Sequence, residues 1–173
     1  AAIVQGCNSY GIDTIFPLVQ TVKEFLLEQG GKPNDVVARI CADHFRAIYV
    51  LLAQKLLPSN KGHGYVLRKL IRRFLETIWS ALGKPTPTNK LIQRLSQVFQ
   101  SCGYVAGVSE YTNVADKIIE EEAALLNILQ KAKQIIQQHP NASPQRLHDT
   151  YGISKTLMTL VQQNQNNKKE CES

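Results

Sequence analysis

Residues 36–82, VVARICADHFRAIYVLLAQKLLPSNKGHGYVLRKLIRRFLETIWSAL, hold the pattern that decides the fold. Apolar residues recur in the first half at steps of three and four, which is the spacing of one face of an α-helix. Pro58 ends this pattern, because proline restricts the residue before it and cannot continue the helical hydrogen-bond ladder. A second pattern of the same kind follows the loop 58–64. The stretch therefore predicts two helices, over 36–57 and 65–82.

The same periodicity predicts further helices on both sides of this pair. FPLVQTVKEFLLEQGG, residues 16–31, is typical of an amphipathic helix that ends at two glycines. After residue 82 come a short helix around 91–99 and a long one over 114–138. Ser143 and Pro144 are expected as the N-cap and first residue of another helix, and Ser154 as the cap of a last one through Val161. Residues 162–173 are expected to form a disordered tail.

The predicted fold class is all-α, a helical array of about six helices, since no segment alternates apolar and polar residues convincingly. The chain has 173 residues, of which 43% are hydrophobic and 20% charged, as suits one globular domain with flanking segments. No apolar run approaches the roughly 20 residues that span a bilayer, and the first residues lack a signal-peptide pattern. We therefore expect a cytoplasmic protein without a membrane partner.

The sequence predicts no metal site and no complete catalytic site. Its four cysteines, at 7, 41, 102 and 171, form no CxxC pair, and its four histidines show no HxxxH spacing. The cysteines are expected to be reduced thiols. There is no phosphate-binding P-loop, no dinucleotide glycine fingerprint and no serine elbow.

A basic loop–helix unit, PSNKGHGYVLRKLIRR (58–73), is the strongest candidate for function, in a chain of net charge +6. Glycine allows backbone to approach a ligand closely, the Asn60 amide can both donate and accept, and arginines fork onto phosphates. The alternative is a solvated basic face on a core helix, in which one arginine pairs with Glu76 or Asp43. On spacing alone, RNA binding and this alternative stay equally open.

Residues 42–73, ADHFRAIYVLLAQKLLPSNKGHGYVLRKLIRR, resemble a stretch found in alanine–tRNA ligases. Two further segments follow the order of that family. AAIVQGCNSYGIDTIFPLVQ (1–20) is similar to the segment after the last catalytic motif, and RLHDTYG (146–152) is similar to a later DTYG element. The resemblance spans most of residues 1–157.

The resemblance implies a helical region that binds the acceptor stem of alanine tRNA. Residues 1–31 would follow the class II catalytic core, and 32–161 would form the tRNA-recognition domain. Asn60 and Asp149 match the two residues that read a G·U wobble pair from opposite grooves, which suits an amide and a carboxylate at base edges. The residues expected to contact the tRNA backbone are Lys61, His63, Arg68, Lys69, Arg72 and Arg73.

The chain departs from the family pattern at Lys61, His63, Ile153 and Ser154. The catalytic motifs would lie before Ala1 and the zinc ligands of the editing domain beyond the C-terminus. We therefore expect no cofactor in this chain, with ATP, Mg and Zn confined to those other domains, and no alanine activation by the chain alone. It would be a piece or relic of a longer ligase. Two alternatives remain, a free-standing paralogue that binds another RNA and a helical protein–protein interaction module.

Overall fold

The computed structural model describes residues 12–32, 34–102 and 108–172, and within them the chain forms seven helices and no strand. The prediction of an all-α array is confirmed, and each helix overlaps a segment predicted to be helical. In chain order the helices are α1 (Ile12–Glu28), α2 (Asp35–Ala53), α3 (Gly62–Leu82), α4 (Asn89–Ser101), α5 (Val108–Gln138), α6 (Pro144–Tyr151) and α7 (Lys155–Glu172).

The core lies where α1, α2, α3 and α4 bury their apolar faces against one another. An aromatic cluster fills its centre. The ring of Tyr49 lies 4.6 Å from that of Phe99, and Phe45 meets Phe99 edge to face at 6.4 Å. Buried Trp79 keeps its indole N–H satisfied by donating to the Thr86 carbonyl oxygen at 2.9 Å. This packing fixes the direction of α3, and with it the direction of the basic side chains that α3 carries.

The loop between α2 and α3 is held tightly against the start of α3. The Ser59 amide donates to the Gly64 carbonyl oxygen at 3.0 Å, and the Ser59 hydroxyl donates to the Lys61 carbonyl oxygen at 2.9 Å. A Cβ on Gly64 would lie 2.5 Å from the Leu57 carbonyl oxygen, so only glycine fits there without a shift of backbone. The loop covers residues 54–61 instead of the predicted 58–64, because α2 ends at Ala53, before Pro58, and α3 already begins at Gly62.

Buried Glu122 joins α5 to the start of α4. Its carboxylate accepts hydrogen bonds from both the amide, at 3.2 Å, and the hydroxyl of Thr88, the N-cap residue of α4. Burial raises the pKa of Glu122 above its ordinary value of 4.5, and the bonds from Thr88 only partly offset this. The neighbouring carboxylate, Glu121, is also buried, and it contacts Arg68 of α3.

The C-terminal helices confirm one prediction and correct another. Ser143 caps α6 as predicted, accepting from the Arg146 amide at 3.2 Å. The expectation of a disordered tail is wrong for residues 162–172, since α7 runs to Glu172. The Asn167 amide donates to the Gly83 carbonyl oxygen at 3.2 Å, so the tail gains support from α3 that its composition does not reveal.

The cysteines also correct the sequence-based expectation in part. Cys41 and Cys171 are free thiols, the first buried and the second exposed. Cys102, by contrast, is disulfide-bonded. Disulfide formation depends on the distance between Cα atoms in the folded chain, which separation in sequence does not reveal.

Candidate nucleic-acid interface

A cleft of about 990 Å³ runs along the basic face of α3. The apolar stripe of α3, which includes Leu67 and Ile71, is fully buried, and the residues one position after these two, Arg68 and Arg72, line the cleft. The opposite wall comes from α5, α6 and the start of α7. The cleft is lined by four basic residues of α3, namely Arg68, Lys69, Arg72 and Arg73.

Glu121 of α5 forms ion pairs with two of these basic residues. Arg68 Nε donates to Glu121 Oε1 at 3.0 Å, and Arg72 Nε lies 3.5 Å from Glu121 Oε2. The Glu121 side chain is only 8% exposed, so this carboxylate sits beneath the cleft and neutralises about one of the two guanidinium charges. Its position keeps both arginines on the cleft wall.

The partners proposed from sequence, Glu76 and Asp43, do not form these ion pairs. Asp43 instead accepts from Arg46 at 2.9 Å on α2. Glu76 lines the cleft, where burial raises its pKa and the charges of Arg72 and Arg73 partly counter that rise. Sequence reasoning missed Glu121, although its place in the acidic run 120–122 was visible, because the contact joins residues that are 53 positions apart.

Lys69 and Arg73 are the exposed cations of the cleft. No carboxylate of the described residues lies within 4.0 Å of either charged group. The Lys69 ammonium lies 4.9 Å from the centre of the Tyr65 ring, which is itself exposed. Lys61 and His63 are exposed at the N-terminal end of α3, outside the cleft lining. The two cleft cations are thus available to a polyanion.

Asn60 lies at the edge of the cleft, in the loop before α3. It is exposed, and its side-chain oxygen accepts a short hydrogen bond from Arg68 Nη1. Arg68 therefore uses one edge of its guanidinium on Glu121 and another on Asn60. No described residue accepts a hydrogen bond from the Asn60 amide nitrogen.

Asp149 lies on α6 with an exposed carboxylate. Both of its oxygens accept from Gln145 Nε2, at 3.0 and 2.9 Å, and Oδ1 lies 3.1 Å from His148 Nδ1. The hydrogen bond from Gln145, followed by that from His148, holds the pKa of Asp149 below its ordinary value of 3.8. His148 lines the cleft. Asn60 and Asp149 thus each contact a residue that lines the cleft, Arg68 on the α3 wall and His148 on the opposite wall, although 89 positions separate them.

Two departures from the expected sequence pattern have local structural roles. Ile153 is 3% exposed and belongs to the apolar core. The Ser154 hydroxyl accepts from the Leu157 amide at 3.2 Å and so caps the start of α7. Both residues follow the left-handed Gly152, at φ +69°, which ends α6.

Within the described ranges, no three or more His, Cys, Asp or Glu side chains gather where they could hold a metal ion. In the same ranges, no helix combines the length and apolar character needed to cross a membrane.

Comparison with known proteins identifies one family over nearly the whole chain. The family model of class II tRNA synthetases (A) matches residues 1–172. The alanine–tRNA ligase of Legionella pneumophila (strain Corby) is 32% identical over 164 residues, which cover 88% of this chain and 19% of that protein. The alanine–tRNA ligase of Salinispora tropica is 29% identical over 176 residues, covering 88% and 20%. The chain thus spans about a fifth of the length of these relatives.

Proposed function

Because the chain belongs to the family of class II tRNA synthetases (A), we propose that it is the part of an alanine–tRNA ligase that grips the acceptor stem of alanine tRNA. On this proposal the cleft along α3 receives the phosphate backbone. Asn60 and Asp149 test the G·U wobble pair of the stem. The region would follow the catalytic core of the longer enzyme, whose ATP and metal sites lie elsewhere.

The observation that carries the proposal is the convergence of two distant polar residues on one basic cleft. Asn60 bonds to Arg68 and Asp149 bonds to His148, and both of these partners line the cleft. Phosphate contacts fix the position of a nucleic acid, whereas contacts at base edges carry sequence information. The residues that line the cleft and the two polar residues bonded to them include both kinds of group.

The chemistry of the two residues suits base edges of opposite character. The low pKa of Asp149 keeps its carboxylate ionised at neutral pH, so it can accept from a base amino group. A carboxylate has about four lone-pair positions, so a base can join Gln145 without fully displacing it. Asn60 presents its amide nitrogen to a base acceptor. A stem end is accessible in a way that the narrow major groove of a long A-form helix is not.

A binding titration tests the proposal. We expect the chain to bind a fluorescently labelled acceptor-stem hairpin of alanine tRNA more tightly than a hairpin of equal length with a permuted stem. Affinity for both should fall steeply with added salt, because bound cations displace counterions from phosphates. Equal affinity for the two hairpins would indicate a paralogue with another RNA target. An absence of salt-dependent binding would favour the protein–protein interaction module instead.

A further inference from the structure

The side chains of Glu121, Arg68 and Asn60 form a chain of contacts that runs from the interior to the cleft edge, which we call the relay. Glu121 is 8% exposed, Arg68 is 24% exposed, and Asn60 is exposed in the loop. Two successive hydrogen bonds join the three residues, from Arg68 Nε to Glu121 Oε1 and from Arg68 Nη1 to Asn60 Oδ1. The three residues come from three different segments, so the relay depends on the tertiary fold.

The relay fixes which end of the Asn60 amide faces outward. A carboxamide is nearly symmetric in shape, and an exposed one is free to rotate by half a turn and exchange its oxygen and nitrogen. An arginine has five N–H donors and no acceptor. Arg68 can therefore bond only the oxygen of Asn60, and the amide nitrogen must point away from it. In this orientation Asn60 presents a donor to the cleft edge.

Glu121 in turn fixes Arg68. Its Oε1 accepts from Arg68, while its Oε2 lies opposite Arg72 Nε at 3.5 Å. Glu121 Oε2 and Arg72 Nε are both buried, and neither forms a hydrogen bond with any described residue. Loss of the carboxylate charge would leave two guanidinium groups on neighbouring turns of α3 without the anion between them. Both would be expected to move toward solvent, and Asn60 would lose its fixed partner.

We propose that Glu121 is a positioning residue, which acts through Arg68 to hold Asn60 as a hydrogen-bond donor toward the RNA. This inference rests on the proposed function. A donor at this place favours a base that presents a carbonyl oxygen, as uracil does, over one that presents an amino group, as cytosine does. Glu121 thereby contributes to base discrimination although it is buried and contacts no RNA.

The test compares binding of acceptor-stem hairpins with a G·U and a G·C pair by wild type, Glu121→Gln, Asn60→Ala and the double variant. We expect Glu121→Gln to lower the ratio of the two affinities at least about twofold, as coupled side-chain networks do. It should have no further effect on that ratio in the Asn60→Ala background. Glu122→Gln is the matched control, because this adjacent buried carboxylate bonds Thr88 instead of an arginine, and it should keep the wild-type ratio.

A second measurement examines the relay without RNA. The ¹H–¹⁵N resonances of the Asn60 side-chain amide, identified by their loss in Asn60→Ala, should shift in Glu121→Gln and stay in place in Glu122→Gln. Equal weakening of both hairpins by Glu121→Gln, or an unmoved amide resonance, would overturn the relay while leaving the proposed function intact. Absence of any G·U preference in wild type would instead overturn the proposed function and the relay's reading role together.

Discussion

Replacement of Arg73 by alanine should weaken tRNA binding, and the size of the loss should depend on salt concentration, because Arg73 is an exposed cation of the cleft. Of the four basic residues of the cleft, Arg68 and Arg72 share the Glu121 carboxylate, whereas Arg73 is exposed and has no carboxylate of the described residues within 4.0 Å. Arg73 should therefore count as one full phosphate contact. Each such contact adds roughly 0.7 to 0.9 to the slope of log affinity against log salt.

The assay is an anisotropy titration of labelled alanine tRNA at several salt concentrations. Between about 50 and about 200 mM salt, one lost contact makes the fall in affinity about threefold smaller. Arg73→Ala should show this flatter slope with both cognate and non-cognate tRNA, and its thermal stability should change little, because the side chain is exposed. Arg46→Ala is the matched control, since it removes the same charge from α2 outside the cleft lining.

Two results would refute this reasoning. If Arg46→Ala flattens the slope as much as Arg73→Ala does, then the net charge of +6 attracts RNA without a defined cleft. If Arg73→Ala lowers the melting temperature and leaves tRNA affinity unchanged, Arg73 supports the fold, and the basic face of α3 is a solvated surface.

Three further predictions concern the fold that supports the site. Gly64→Ala places a Cβ 2.5 Å from the Leu57 carbonyl oxygen and should cost about 1–3 kcal/mol in denaturant unfolding; wild-type stability would show that the loop is not locked. Because burial raises the pKa of Glu122 above 4.5, ionisation costs stability as pH rises through that value. The difference in melting temperature between Glu122→Gln and wild type should therefore increase as pH rises above 4.5 and then become constant. A difference that does not depend on pH would contradict the assignment. Burial raises the pKa of Cys41 to about 12, so iodoacetamide should label Cys171 and spare Cys41 in the folded chain; rapid labelling of both would show that the core opens.

The sequence was sufficient to locate most helical segments, because their apolar stripes and caps are local signals. The apolar stripe of α3 and the cap Ser143 are readable without knowledge of any neighbour. The helical structure at the end of the chain could not be predicted from such local signals. Residues 162–172 are polar, and their helix gains a contact from Asn167 to Gly83, which lies 84 positions away. A contact of that range has no counterpart in local composition.

The same distinction between local signals and long-range contacts applies to the candidate site. The basic residues of α3 could be identified from sequence, and Asn60 and Asp149 from a resemblance to a known family. Their surroundings could be identified only in part, since Gln145 lies one helical turn before Asp149, whereas Glu121 is 53 positions from Arg68 and has no local signal. The ion pairs of Glu121 divide the basic residues into held and free ones, and this division sets the prediction for Arg73.

The most direct test of the central claim is the preference for a G·U over a G·C pair in acceptor-stem hairpins, measured for wild type, Asn60→Ala and Asp149→Ala. Wild type should prefer the G·U hairpin. Each variant should lose about 1–3 kcal/mol of that preference, at unchanged melting temperature, because both side chains are exposed. Equal binding of the two hairpins by wild type, or a preference that survives both substitutions, would contradict the claim that this cleft reads the pair.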